Sequence, residues 1–484
     1  MKLYALKGII MLSIPEFENA VKVFEYFEEI SRIPHGSSNC SHIADYLVDF
    51  AKTHSLEFYR DSSDNVIIKK PAAAGYESRP TVIIQGHTDM VAEKDPSLDK
   101  DMTREGIEIY RDGDFLRAKG TTLGGDDGIA VAYALALLSS EDIPHPSIEA
   151  LFTSDEEIGL LGATALDVSQ LSGNIMINID SDDEGIFTVG CAGGIRTDFR
   201  LPVLREAAEL TKYRLTVCGL IGGHSGVEID KGRANASKLG AEILSSLGKI
   251  FIFDFHGGNM DNAITREFTA EFCTERDISA DFSKVRDKIL SEWKCAERDI
   301  SITLEECGKA DMALDSESSA KLLELVNAIP SGVIAMSNDI PELVESSMNL
   351  GIVRLSSDFA SLTVSVRSSK GSEKLRLVGM LSELAAKYGA DFSTRGDYPA
   401  WEYKNDSHLR DTAVKVYNEM YGKAPKVITI HAGLECGIFS DRMPALDCIS
   451  LGPDNYDIHT TEEHLSVSST ARVWEFLKKL LKEI

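Results

Sequence analysis

The chain has 484 residues, more than one hydrophobic core usually organises, so two domains are expected. A hydrophobic share of 43% beside 26% charged residues excludes wholesale disorder. Acidic residues outnumber basic ones 77 to 50, a formal net charge of −27, and a field of that sign repels nucleic acid and anionic membrane, so neither is an expected partner.

The opening residues, MKLYALKGIIML, are a short apolar run broken by Lys7 and followed by no small-residue cleavage site, unlike a secretory leader. No stretch has the apolar length that spans a bilayer. Eight scattered cysteines (Cys40, Cys191, Cys218, Cys273, Cys295, Cys307, Cys436, Cys448) form no C-x-x-C pair, so neither a zinc ribbon nor a disulfide framework is expected. Reduced thiols and a cytoplasmic location follow.

In chain order, an amphipathic helix is expected over 17–30, then short β-branched strands at 66–68 and 81–84. An apolar helix over 128–139 and strands at 150–153 and 175–179 continue the pattern. Short buried strands alternating with helices imply a mixed, mainly parallel sheet flanked by helices, an α/β domain. From about Tyr213 the texture changes. Half-exposed strands at 213–218, 268–273, 301–304, 348–354 and 361–366 alternate with amphipathic helices at 234–247, 282–293, 316–328 and 373–388, as in an α+β domain. A helix over 407–421, strands at 426–430 and 445–451, and a helix over 470–484 return to the first texture. The expected organisation is an α/β catalytic domain in two parts, 1–200 and 396–484, interrupted by an inserted α+β domain over 201–395.

The acidic residues and histidines fall at telling places. The run VII ends in Gln-Gly-His87-Thr-Asp89, ALFT ends in Ser-Asp-Glu156-Glu157, and IMINI ends at Asp180. Loops at the carboxyl ends of strands form the ligand crevice of α/β sheets, so three strands deliver imidazole or carboxylate to one edge. Asp126 and Asp127, in Gly-Gly-Asp-Asp-Gly before a helix, reach the same edge from a loop, and His459 follows a later strand. Imidazole and carboxylate without thiolate is the donor set of hydrolytic zinc, or of manganese or cobalt in its place. His87, Asp126, Glu157, Asp180 and His459 supply the inventory of a two-metal site, with a bridging carboxylate and terminal donors. Of two adjacent glutamates, one can bind metal while the other stays free as a base. Asp89, two residues beyond His87, suits the carboxylate that fixes an imidazole tautomer. Singly, GHTD is compatible with a helix cap, Asp-Glu-Glu with a solvated turn and Gly-Asp-Asp-Gly with an N-cap. Asp182, Asp183 and Glu184 stay in that plain class. The joint occurrence is what is specific.

GHTDM, GGDDGIAVAYALALL, TSDEEIGLLGA, NIDSDDEG, CAGGI, GLIGGHSGVEI, HAGLECGIF and IHTTEE, in that order, resemble the aminoacyl-histidine dipeptidases (peptidase D, cytosol nonspecific dipeptidase). That group lies within the di-zinc aminopeptidase and carboxypeptidase families that carry a lid domain, and the resemblance runs from about Pro34 to the last helix. It implies that Asp126 bridges two Zn2+, that His87 and Asp180 complete one ion and that Glu157 and His459 complete the other. Glu156 is then the general base that activates a bridging water, and Asp89 orients His87. In the inserted lid and dimerisation domain, His224 in GGHSG is similar to the histidine that contacts substrate and stabilises the oxyanion, often from the partner subunit. Asn262, Arg367 and Gly433 resemble substrate-binding positions, while Glu435 can either meet a substrate amino group or hold its loop. The sequence departs from the family at Asp127, where asparagine is frequent, and at Gly125, where alanine is common.

The implied activity is metal-dependent hydrolysis of dipeptides, Xaa-His and broader, by a homodimer. An N-acyl amino acid deacylase or a carboxypeptidase shares the same donors and stays open. A two-metal phosphoesterase would want basic phosphate clamps, and none clusters near these motifs. A non-catalytic descendant would be expected to lack Glu156 or a metal donor, and all are present.

Overall fold

A computed structural model describes residues 14–338, 340 and 342–484. The apolar run at the N-terminus lies outside them. The chain divides into two compact units, one of Met1–Gly190, Tyr403–Thr429 and Leu434–Ile484, the other of Cys191–Glu402 and Ile430–Gly433. The sequence expectation places the boundaries at 200/201 and 395/396. The contact division falls elsewhere because strand Gly193–Pro202 pairs with Phe359–Ser368 and Asp391–Tyr398, in the sheet of the second unit.

The first unit is built on an eight-stranded sheet. Its order is Glu57–Arg60, Val66–Lys70, Ile148–Thr153, Val82–His87, Ile175–Asn178, Asp447–Ser450, Ile186–Cys191, Lys426–Ile430. The four central strands are parallel, and antiparallel strands flank them, so the sheet is mixed as expected. Val82–His87 and Ile148–Thr153 are buried at every residue, which explains why they read as apolar runs rather than as alternating ones. Helix Gly125–Ser139 is buried nearly all round, its apolar sequence packed between the sheet and helices Val21–Ser31 and Val467–Glu483. Tyr133 stacks on Trp474 at 6.0 Å and donates its hydroxyl to the Thr470 carbonyl at 2.8 Å, which satisfies a phenol that is otherwise wholly buried.

A small antiparallel sheet (Ile109–Asp112, Phe115–Ala118, His464–Ser466, Asn455–Tyr456) completes this unit and carries the loop that bears His459. The sequence pattern passes over its strands, which are two to four residues long, and over helix Ser41–Thr53.

The second unit is α+β. A nine-stranded sheet, antiparallel at each of its pairings, packs a shared core with helices Ala236–Ser246, Ser279–Trp293, Ser316–Ala328 and Gly371–Tyr388. Strands expected at 213–218 and 301–304 are segments of a longer pair, Arg205–Cys218 and Ser301–Leu314. Their distal halves are rich in charged and exposed residues, so hydrophobic alternation marks only the part over the core. A two-residue ribbon, Gly223–His224 against Ala263–Ile264, stands apart from the main sheet.

Candidate metal centre

The parallel register decides where the donors arrive. Val82 pairs with Ile148 and with Ile175, and His87 pairs with Thr153, so the central strands end level with one another. His87 is the last residue of its strand, Glu156 and Glu157 follow Thr153, and Asp180 follows Asn178 by two residues. Asp126 enters from the start of helix Gly125–Ser139, and His459 from the loop between Asn455–Tyr456 and His464–Ser466.

The five expected donors come together. Nε2 of His87 lies 3.0 Å from Oδ1 of Asp126 and 3.8 Å from Asp180. Nε2 of His459 lies 3.2 Å from Oδ2 of the same Asp126 and 2.8 Å from Glu157. The Asp126 carboxylate therefore offers one oxygen to each imidazole. Three overlapping groups, His87–Asp126–Asp180, Asp126–Glu157–His459 and His87–Glu156–Glu157, each have donor atoms within 4.8 Å of one another.

Crowded like charges shift the titrations. Burial, with Glu435 and Glu157 beside it, pushes the Glu156 carboxyl up to about 8. Burial also holds Asp180 well above the usual carboxylate range, with Asp127 and Asp126 adding to it. For His87, burial alone would lower the imidazole, but hydrogen bonds with Asp126 and Asp89 outweigh it and keep the ring well above its ordinary value. Hydrogen bonds with Asp126 and Glu157 raise His459 to about 10. Burial works to raise Asp126, and its hydrogen bonds with His459 and His87 win and hold it below the usual range.

Carboxylates in excess of imidazoles, all aimed at one spot, make a site that needs cations. Nitrogen and oxygen donors without thiolate fit zinc, manganese or cobalt. The residues present fit a pair of divalent ions.

Asp89 differs in detail from the sequence reading. Nδ1 of His87 lies 2.9 Å from the main-chain oxygen of Asp89 and 3.5 Å from its carboxylate. That carboxylate instead accepts main-chain N–H groups from Glu156 at 2.9 Å and Glu157 at 3.3 Å, and the Ser37 hydroxyl at 2.8 Å. Asp127, the departure from the family pattern, is buried, and its Oδ2 accepts the main-chain N–H of His87 at 3.1 Å. Asp182, read as part of a plain turn, is half-buried, and burial together with Asp126 pushes it up to about 8.

Glu435 is fully buried, and its Oε2 accepts the Gln85 amide and the Thr153 hydroxyl, each at 2.6 Å. Gln85 in turn accepts the Asn178 amide at 2.6 Å. A polar ladder thus joins the three strands that deliver His87, Glu156 and Asp180. The sequence holds a signal for Glu435 in HAGLECG and none for its partners.

His224, Asn262, Arg367 and Gly433 lie in the second unit. Nδ1 of His224 accepts N–H groups of Gly226 and Val227, both at 3.3 Å, which puts the ring proton on Nε2. Burial and then Arg367 lower its pKa, so the ring is a neutral donor. Ala263 faces His224 on the ribbon, and just before it the main-chain carbonyl of Asn262 accepts the Ser225 N–H at 2.8 Å. Arg367 donates to the Tyr398 hydroxyl at 2.7 Å, and a Cβ at Gly433 would stand 2.7 Å from that same ring. His431, which the sequence reading quotes only within HAGLECG, hydrogen-bonds Ser347 at 2.7 Å. Burial and Arg367 lower it to about 4.

Comparison with known proteins gives four findings. A family model described as peptidase family M20/M25/M40 matches residues 83–483. The cytosol non-specific dipeptidase of Escherichia coli is 36% identical over 471 residues, 96% of this chain and 97% of that protein. The crystal structure of aminoacylhistidine dipeptidase from Vibrio alginolyticus superposes with a TM-score of 0.89 at 34% identity, covering 99% of this chain and 98% of that one. An aminopeptidase from Bacillus cereus, 16% identical, shares the fold with a TM-score of 0.57 over 96% of this chain and 99% of its own.

Proposed function

We propose, from the premise that this chain belongs to peptidase family M20/M25/M40, that it hydrolyses dipeptides with a pair of divalent ions, zinc first among them. The observation that carries the reading is the Asp126 carboxylate, with one oxygen turned to His87 and the other to His459. Asp126 would be shared between the ions, His87 and Asp180 would hold one, and Glu157 and His459 would hold the other. Bound there, the ions supply a water of lowered pKa and polarise the scissile carbonyl.

The chain's own groups do the rest. Glu156, half-buried beside the proposed donors, takes a proton from the attacking water and returns it to the leaving amine nitrogen. Asp89 holds the turn of Glu156 through the main-chain N–H. His224, with its proton on Nε2, donates to the developing oxyanion, from its own chain or from a partner's. Arg367, Asn262 and Gly433 bind the substrate's termini. The second unit is the lid and dimerisation domain, and the working form is a homodimer, both on the strength of the family resemblance. A cytoplasmic location is supported by the name of the Escherichia coli relative. Among the described residues no helix is long and apolar enough to cross a membrane.

The test is hydrolysis of β-alanyl-histidine and a panel of free dipeptides by protein stripped of metal and titrated with zinc, manganese or cobalt. Activity returning as about two equivalents bind supports the reading. Full loading without cleavage of any dipeptide, but with release of N-acylated amino acids or of C-terminal residues from longer peptides, replaces it with the deacylase or carboxypeptidase reading.

A further inference from the structure

Glu463 has no part in the reading above, and its surroundings are unusual. It is 3% exposed, and both carboxylate oxygens are spent on main-chain donors. Oε2 accepts the N–H groups of Leu123 at 2.7 Å and Gly124 at 2.9 Å, and Oε1 those of Gly125 at 2.8 Å and Asp126 at 3.3 Å. The Asn455 side-chain amide donates to Oε1 at 3.3 Å.

Three of these donors, Gly124, Gly125 and Asp126, are among those that the start of helix Gly125–Ser139 leaves unpaired, and Leu123 directly precedes them. The residue ahead of that helix, Gly124, has no side chain to cap it and sits at φ 71°. A carboxylate there meets both the hydrogen-bonding need and the positive end of the helix dipole. No side chain at position 124 could cap locally, because a Cβ there would stand 2.9 Å from the Met90 sulfur at a positive φ. The clamp instead comes from the loop that presents His459.

His459 and Glu463 are four positions apart. Glu463 returns its N–H to the Thr460 carbonyl at 3.2 Å, and the loop is closed by antiparallel pairing of Asn455 with Leu465 and Tyr456 with His464. His459 itself is held at φ 63°. One short hairpin therefore grips the segment ending in Asp126 and presents His459 to the carboxylate of that same residue.

We propose that Glu463 is a positioning residue that sets the distance between Asp126 and His459 and so governs the binding of one ion of the pair. The proposal rests on the metallopeptidase reading. The ion served by His87 and Asp180 takes those donors from the ends of sheet strands, which the hairpin does not hold. The ion served by Glu157 and His459 depends on the hairpin directly.

The experiment uses the full-length chain carrying Glu463→Gln, which keeps the shape and removes the charge and acceptor capacity. Metal release is followed by competition with a chromogenic zinc chelator, and amide hydrogen exchange of the 123–126 segment is read with and without added zinc. The expected result is that one of two zinc ions is held about 10–100-fold more weakly while the other is retained. The 123–126 amides are also expected to exchange faster even without zinc. Equal weakening of both ions, or of neither, overturns the proposal, as does unchanged exchange over 123–126. If Glu463→Gln does not fold, Glu463→Asp, which keeps the charge but withdraws it by one methylene, is read by the same criteria. If the parent protein takes up no zinc, it is the metallopeptidase reading that fails, and the exchange measurement still decides whether the clamp exists.

Discussion

The carboxylate of Asp89 accepts the main-chain N–H of Glu156 at 2.9 Å. Asp89 thereby fixes the turn that carries Glu156, the proposed base, while its own carbonyl, 2.9 Å from Nδ1, fixes the ring of His87. Replacing Asp89 with alanine leaves the carbonyl and removes chiefly the grip on the turn, together with the longer 3.5 Å contact to Nδ1 of His87. Asp89→Ala is therefore expected to lower kcat by about 10–100-fold while His87 keeps its metal. Parallel kcat determination and metal analysis check this, and loss of metal in step with activity would assign Asp89 to His87 instead.

Glu156 and Glu157 are neighbours with different partners. Glu157 lies 2.8 Å from His459, whereas Glu156 has burial and negative charge about it. Glu156→Ala is expected to lose about 10²–10⁴-fold in kcat and keep two metal equivalents. Glu157→Ala is expected to lose metal. Elemental analysis of the two variants, side by side, separates the roles.

Metal binding should depend on pH with a definite sign. Below about 10 the His459 imidazole holds a proton between Asp126 and Glu157, and an incoming ion must displace it. Affinity is expected to rise as pH rises toward that value, with protons released on binding. Calorimetric titration with zinc in two buffers of different ionisation enthalpy measures the release. A heat independent of buffer, at neutral pH, contradicts the prediction.

Gly433 has no room for a side chain. A methyl there meets the ring of Tyr398, whose hydroxyl receives the Arg367 guanidinium. Gly433→Ala should displace the ring and loosen Arg367, costing about 1.5–3 kcal/mol of the charge-assisted contact to substrate proposed for it. The expected signature is a KM raised about tenfold or more with kcat much less changed. Steady-state kinetics on one dipeptide decides it.

The sequence disclosed the donors because strand and donor are adjacent in the chain. Val82–His87 is an apolar run that ends in its own candidate metal donor, and Asp180 stands two residues beyond Asn178. The mixed sheet and the α+β second unit were legible for the same reason, since burial writes itself into local hydrophobic period. What stayed hidden is what depends on distant pairing. Glu462 and Glu463 are indistinguishable in TTEEH, yet one is exposed and the other wholly enclosed by the segment 123–126. The ladder of Glu435, Gln85 and Asn178 draws on three parts of the chain, each ordinary alone. Strand Gly193–Pro202 carries charged residues on one face and reads as neither core nor loop until its partners are known.

The order of strands in the first sheet has a consequence for the timing of synthesis. Asp447–Ser450 lies between Ile175–Asn178 and Ile186–Cys191, although it is made more than two hundred residues later. The nascent chain leaving the ribosome can complete the second unit's main stretch, Cys191–Glu402, while the first sheet still has a missing central member. His459 emerges later still. A chain under translation therefore carries strands awaiting a neighbour and only part of the candidate metal site, and hydrolytic competence is postponed until the segment bearing His459 has been made.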